Sequence, residues 1–406
     1  MKIRYMLLIF IIILGCAMFF FSTKKAEDGR KNVVFWTLQM GTFDKYINNI
    51  IDKFEKENSD IKIIWVDVPY SEGEKRTLAS MLSNNPPDLV NLTPEFSIIL
   101  AQKKALYEIS PETMDNYLPS ISAALKFDNK YFGIPFYATS ALTFYNKDLC
   151  KKAGIKNTPK TYDELYSYAK TAKFLTNSYI TMPTLTENDT FLKILNKNNI
   201  NSSDNISSDS SIKIFNQYKD LYQQSLIPKE SITQTHREAL EKYMAGQIIF
   251  FPAGANFLNI IKENAPKIYE VTDVSTQLTG TNGKYDFSLM NFIIPKKSKH
   301  PEEALRFAVF LTNETNQLEL AKLTTVLPVN KNALKSNYFT TNTDKDLVSK
   351  ARIISASQLS NIQLTTKQKN QKELLNLINN YVQQVILSKE DSKKLLEELS
   401  LKWGKL

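Results

Sequence analysis

Val33-Val34-Phe35-Trp36, then Phe43, Tyr46, Ile47, Ile50, Ile51 and Phe54, then Ile61-Lys62-Ile63-Ile64-Trp65-Val66 is the stretch that decides the fold. Its outer segments are short runs rich in β-branched and aromatic residues, which read as strands. The apolar residues between them recur at i, i+3, i+4, i+7, i+8 and i+11, one face of an amphipathic helix. Working outward, residues 74–82 read as a helix and Asp88-Leu89-Val90-Asn91-Leu92 as a strand. Thr93 and Pro94 then supply an N-cap and a first helical residue for a helix to about Lys103. Strand and helix alternate, which predicts an α/β fold with a parallel sheet and right-handed crossovers.

A second alternating unit starts near Ala141. Ala141-Leu142-Thr143-Phe144-Tyr145 reads as a strand, and the helix after it stops at Gly154. Thr161-Tyr162-Asp163-Glu164 is a capping box that opens another helix. Residues 201–211 form a polar Ser/Asn/Asp loop. Ile212, Phe215, Tyr218 and Leu221 or Tyr222 then mark a helix face. Residues 248–251 read as a strand ending at Pro252, and residues 289–294 as a strand before a helix over 301–312. From 344 to 403 the pattern is almost wholly helical, and no internal repeat is present.

A chain of 406 residues exceeds what one hydrophobic core usually serves, so two domains are expected. With 43% hydrophobic and 23% charged residues it can build a sizeable core. Glycine is scarce, at 11 residues, which argues against folds built on Gly-rich phosphate loops. Gly280-Thr281-Asn282-Gly283-Lys284-Tyr285 lacks the spacing of such a loop and reads as a turn. The net charge of +9 is spread among acidic residues, without a block of like charge or a basic stripe. It fits a solvated surface, with attraction to an anionic membrane as the functional reading, and gives no support to nucleic-acid binding. Two Cys and two His argue against a zinc site, and neither a metal nor a cofactor is expected. Cys150 lies in a helical pattern, where a small buried thiol is the default reading. His236 and His300 both read as exposed residues at helix starts.

The N-terminus sets the compartment. Lys2 and Arg4 precede an apolar run over residues 6–21, the pattern of an export signal. Ile13-Leu14-Gly15-Cys16 is similar to a bacterial lipobox, in which the cysteine is lipidated and becomes the first mature residue. Met18 to Phe21 stay apolar beyond it, so an uncleaved anchor is the rival reading. Sixteen residues span ~24 Å as a helix, against a hydrocarbon core of ~30 Å. Lipidation at Cys16 is favoured; both readings put the chain outside the cytoplasmic membrane, with residues 24–30 as a tether.

Several short segments carry a resemblance. Phe35-Trp36-Thr37, Pro86-Pro87-Asp88-Leu89-Val90, Tyr131-Phe132-Gly133-Ile134-Pro135-Phe136-Tyr137 and Phe144-Tyr145-Asn146-Lys147-Asp148-Leu149 are similar to the extracellular sugar-binding proteins of ABC importers, the family that includes maltose-binding protein. Lys152-Ala153-Gly154-Ile155, Pro159-Lys160-Thr161-Tyr162-Asp163-Glu164-Leu165, Met244-Ala245-Gly246-Gln247 and Pro301-Glu302-Glu303-Ala304-Leu305-Arg306-Phe307 follow in the same order. Each motif alone is weak; their collinear order over residues 33–330 is what carries the resemblance. It implies a two-lobed periplasmic-binding-protein-like fold with a discontinuous hinge and a helical C-terminus. Crossings would fall near 139–143, 286–289 and 325–328. Lobe one would be 31–140 with 287–327, and lobe two 141–286 with 328–406. The implied function is capture of a small polar solute, a sugar by expectation, and its delivery to an ABC permease and ATPase by a monomer that is not an enzyme.

In open parallel sheets ligands bind beyond the carboxyl ends of strands, beside helix N-termini. Residues 37–41, 91–95 and 252–257 occupy such places. Trp36, Tyr137 and Phe257 offer faces for a sugar ring; Gln39, Asn91, Glu95 and Asn256 offer groups for hydroxyls. Thr37, Thr139 and Asn291 complete the candidate set, and residues 184–187 are a further candidate from the second lobe. Each has a structural reading too. Trp36, Tyr137 and Phe257 fit a core, and Asn91 and Glu95 fit a helix start. A membrane-anchored hydrolase with two carboxylates is the alternative from another class, although no acid/base pair or Gly-x-Ser-x-Gly elbow stands out. A binding protein that feeds a sensor is the third.

Overall fold

The run Val33-Val34-Phe35-Trp36 lies inside β1 (Lys31–Leu38), which pairs in parallel with β2 (Ile61–Val68) along its whole length. This is a computed structural model that describes residues 29–341, 346–363 and 370–406. Cys16, its export segment and most of the tether lie outside the described residues. The chain gathers into two compact units. One runs up to Val90 and adds Ile294–Phe307; the other holds Asn91–Ile293 and Ala308–Leu406.

In the first unit the strand order is β3-β1-β2, with β3 (Leu89–Leu92) parallel to β1 through Phe35 opposite Leu89. Helix α1 (Asp44–Glu57) crosses between β1 and β2 and buries Tyr46, Ile47, Ile50, Ile51 and Phe54, the face that the periodicity predicts. Phe43 sits just before it in a 3₁₀ turn. The core centres on Phe307, whose ring meets Phe35 edge-on at 5.2 Å and Phe54 at 4.9 Å. Asp88 ties the unit together. Its carboxylate accepts from Val34 N at 2.9 Å and Ser298 Oγ at 2.6 Å, and from the backbone N–H groups of Lys299 and His300.

The second unit opens with the helix Pro94–Gln102, N-capped by Thr93 as the sequence predicts. Strand β4 (Ile134–Thr139) lies between β8 (Ser288–Ile293) and β9 (Leu327–Pro328), antiparallel to both. A separate antiparallel sheet has the order β6-β5-β7, formed by β5 (Ala141–Asn146), β6 (Phe250–Gly254) and β7 (Thr272–Ser275). Strand β6 continues through Pro252, where the sequence reading ends it. It is an edge strand, so the N–H that proline lacks is not missed there. Leu142, Phe144, Phe251, Ala253 and Val274 share an apolar cluster with Tyr243, Leu258 and Ala351. A larger cluster joins Phe191, Phe215 and Tyr218 to Ile378, Tyr381, Val382, Leu396 and Trp403, so the helical C-terminus, Gln371–Leu387 and Ser392–Trp403, is bound into the core.

The chain passes between these two sheets at Ser140, again over residues 276–287, and once more from β9 to the helix Leu347–Gln358. Gln277 and Gln358 knot the three passages. Gln277 Nε2 donates to Ser140 Oγ at 3.0 Å and to Asp286 O at 2.7 Å, while Gln358 Nε2 donates to Ser140 Oγ at 3.0 Å and to Ala141 O at 2.9 Å. Gln277 N donates to Gln358 Oε1 at 2.7 Å.

Candidate functional site

A cavity of about 430 Å³ opens in the second unit over this knot, within the ~300–1,000 Å³ of small-molecule sites. Strand alternation builds one wall. Leu142 and Phe144 face the apolar cluster, so Ala141 and Thr143 face the cavity. Helix α2 (Thr190–Lys197) builds another, because Thr190, Lys193, Ile194 and Lys197 fall on one helical face and all line the space. Tyr162, Leu165 and Tyr166 come from the helix Tyr162–Ser167, whose cap Thr161 accepts from Glu164 N. Thr181, Pro183 and Thr184, then His236 and Asn256, complete the lining. A Cβ at Gly254 would meet Asn256 Oδ1 at 2.6 Å, so a larger residue there would displace the Asn256 side chain that lines the cavity.

The floor carries a buried ion pair. Lys197 is 2% exposed, and its ammonium donates to Leu278 O at 2.8 Å and Gln277 Oε1 at 3.3 Å and lies 2.9 Å from Asp286 Oδ2. Burial works against its charge, but Tyr162 and Asp286 outweigh that and hold its pKa above the ordinary lysine value. Lys193 pairs with Asp189 at 3.0 Å at the rim. The His236 ring lies against Phe251 at 4.6 Å and Phe257 at 5.1 Å, and burial lowers its pKa despite the opposing charge of Glu187. The ring is half-buried, unlike the exposed helix start that the sequence suggests, because β6 and Phe257 pack against it. Chemically the cavity offers hydroxyls, amides and aromatic faces, and its Lys197–Asp286 pair is internally satisfied.

Of the candidate residues, Thr139 and Asn256 line this cavity, as does Thr184 from the further set. Phe257 stands beside the His236 ring, and the Glu187 carboxylate accepts from His236 N at 2.7 Å. Asn91 and Asn291 are fully buried and joined by Asn91 Nδ2 donating to Asn291 O at 3.3 Å; Asn291 Nδ2 donates to Ser97 Oγ at 2.9 Å. Glu95 lies in the first turn of the helix Pro94–Gln102, and the Tyr137 ring lies 4.9 Å from Phe136. Trp36, Thr37 and Gln39 belong to the first unit. There Thr37 Oγ1 donates to Asp67 Oδ1 at 2.7 Å and accepts from Trp65 Nε1 at 2.8 Å, and Gln39 has a positive φ of 55° at the end of β1. The sequence reading placed none of Ser140, Thr143, Tyr162, Thr181, Lys193, Lys197, His236, Gln277 or Asp286 among the candidate contacts. Alternation in β5 could have flagged Thr143, and the helical face of α2 could have flagged Lys193 and Lys197; the others reach the cavity only through tertiary packing.

The sequence matches the model of the bacterial extracellular solute-binding proteins over residues 39–318. It is 21% identical over 326 residues to the arabinooligosaccharide-binding protein of Bacillus subtilis, covering 75% of this chain and 74% of that one. A Synechococcus sp. MITs9220 crystal structure described as an oligosaccharide periplasmic-binding protein superimposes with a TM-score of 0.78 at 28% identity, covering 92% of this chain and 98% of that one. The sugar-binding protein MalE of Xanthomonas citri gives a TM-score of 0.78 at 20% identity, covering 92% and 97%. The fold is the mixed α/β, two-lobed periplasmic-binding-protein type with a helical C-terminus.

Proposed function

Because the chain belongs to the bacterial extracellular solute-binding protein family, we propose that it captures a saccharide in the cavity over the Ser140–Gln277–Gln358 knot and hands it to an ABC permease. The observation that carries this reading is the lining itself. Hydroxyls of Thr139, Ser140, Thr181 and Thr184, the amide of Asn256 and the rings of Tyr162 and His236 suit a ligand with hydroxyls at its edge and C–H groups on its faces. The names of the relatives, which describe binders of arabinooligosaccharide and oligosaccharide, support the same class. No acid/base carboxylate pair faces the cavity among the described residues, since Asp286 is committed to Lys197; the role proposed is capture without catalysis.

The three passages at Ser140, 276–287 and beyond β9 are the proposed hinge, with lobes of 31–140 plus 287–327 and 141–286 plus 328–406. Closure about them would be stabilised by a ligand that binds the closed form better. The chain is proposed to be exported and tethered through a lipid on Cys16, with Trp36, Thr37, Gln39, Asn91, Glu95, Tyr137, Thr139, Asn256, Phe257 and Asn291 as the candidate contact set. A thermal-shift screen across mono- and oligosaccharides tests capture. A true ligand at about 100 times its dissociation constant adds ~2.7 kcal/mol, and small-angle scattering should then show compaction. A screen in which no saccharide raises the melting temperature refutes the proposal.

A further inference from the structure

Three buried polar atoms in the cavity wall have no partner in the protein: Thr143 Oγ1, Thr181 Oγ1 and His236 Nδ1. Their residues come from three places in the chain, namely β5, the segment after the Tyr179–Ile248 bridge, and the first turn of the helix His236–Met244. All three line the cavity; Thr143 is fully buried and Thr181 is 2% exposed. Each of the three residues neighbours strand β6. Pro252 is the cross-strand partner of Thr143, and its carbonyl lies 2.8 Å from His236 Nε2. Phe250 N donates to Ile180 O, which brings Thr181 against the same strand.

The Pro252 carbonyl can only accept, so the imidazole proton sits on Nε2 and the neutral ring presents Nδ1 as an acceptor. Phe251 and Phe257 fix the ring plane. Buried polar atoms without partners are costly, and a ligand group that pairs all three recovers that cost on binding. The atoms define the group. One acceptor and two hydroxyls are answered by a group that donates once and accepts twice, which is a neutral hydroxyl. A carboxylate has no proton for Nδ1, and an ammonium, which could donate to all three atoms, would leave the two threonine protons without an acceptor.

We propose that Thr143, Thr181 and His236 form an inner subsite that binds one neutral hydroxyl of the captured solute, with His236 as the acceptor. The proposal rests on the reading that this cavity captures a saccharide. It carries a pH dependence. Protonation places a hydrogen on Nδ1 and removes the acceptor, so affinity is complete above the ordinary histidine range and falls as pH drops through the lowered pKa of His236. Glu187, which accepts from His236 N, is the charged group facing it from the preceding loop. On its own helix Arg237 is paired with Glu241, and Glu238 is bonded to Thr235. Strand β6 holds no titratable group, and the charged Lys262 and Glu263 lie in the last turn of the helix that Phe257 begins.

The full chain would be titrated calorimetrically with maltotetraose, arabinotriose and diacetylchitobiose at about pH 7.5 and about pH 5, as parent, His236→Phe and Thr181→Val. His236 and His300 are the two histidines of the chain, so nitrogen NMR of the imidazoles in the parent gives a second readout. Expected is a saccharide whose affinity is about tenfold higher at the upper pH, with that advantage lost in His236→Phe, a weaker affinity in Thr181→Val, and a shifted Nδ1 resonance on binding. Equal affinity at both pH values that also survives His236→Phe overturns the subsite and leaves saccharide capture standing. Failure of the parent to bind any of the three at either pH overturns both.

Discussion

Replacing Lys197 with methionine tests the floor of the cavity. Methionine keeps much of the aliphatic stem, so the loss is electrostatic and not a void. The ammonium that disappears serves Leu278 O at 2.8 Å, Asp286 Oδ2 at 2.9 Å and Gln277 Oε1 at 3.3 Å, in a side chain 2% exposed. Removing one partner of a buried pair costs ~3–5 kcal/mol. Asp286 is 18% exposed and keeps the bond that its Oδ1 accepts from Gln363 Nε2 at 3.2 Å, so the lower end, about 3 kcal/mol, is expected. At ~2 °C per kcal/mol for a unit of this size, the melting temperature should fall by about 6 °C. The loss should be the same at about pH 6 and about pH 8. A raised lysine pKa contributes stability that is fully present below the ordinary value of 10.5 and is lost only as pH rises past it. Chemical denaturation of Lys197→Met, Asp286→Asn and the double variant, read as a cycle, is the assay; the double variant should be more stable than the sum of the single losses predicts. A single-variant loss below about 1 kcal/mol, or strict additivity, refutes the reasoning.

Phe307→Ala removes the ring against which Phe35 and Phe54 pack in the first unit, and should cost ~3–5 kcal/mol by denaturant midpoint. Asn146→Ala deletes the cap whose Oδ1 accepts from Asp148 N and Leu149 N, both at 3.0 Å; a loss of ~1–2 kcal/mol should appear in the same assay. Burial pushes the Cys150 thiol up to about 12, so in a Cys16→Ala background a thiol reagent at neutral pH should modify Cys150 only on unfolding, and rapid labelling of the native protein would contradict its burial.

Much of the fold is legible in local pattern because strands and helices announce themselves through period. The β1–α1–β2 alternation, the Thr93 cap and the Thr161 cap each depend on residues within one or two turns of each other, and each is where the sequence puts it. Pro252 shows the limit. A proline ends a strand by local rule, yet β6 runs through it because an edge strand does not need that N–H.

The sequence by itself determined the α/β class, the helical C-terminus and the collinear motifs of the family, since all of these are written in neighbouring residues. Only the tertiary structure decided which polar groups meet. Ser140, Gln277 and Gln358 are separated by 137 and then 81 residues, yet they close one knot because three passages of the chain converge. Lys197 reads as one lysine among many, and becomes a buried cation only when α2 turns it toward Asp286. His236 reads as a solvated helix start, and is held by a carbonyl and two aromatic rings from β6 and the helix after it. Desolvation and pairing act through space, and no periodicity along the chain encodes which distant group will supply the partner.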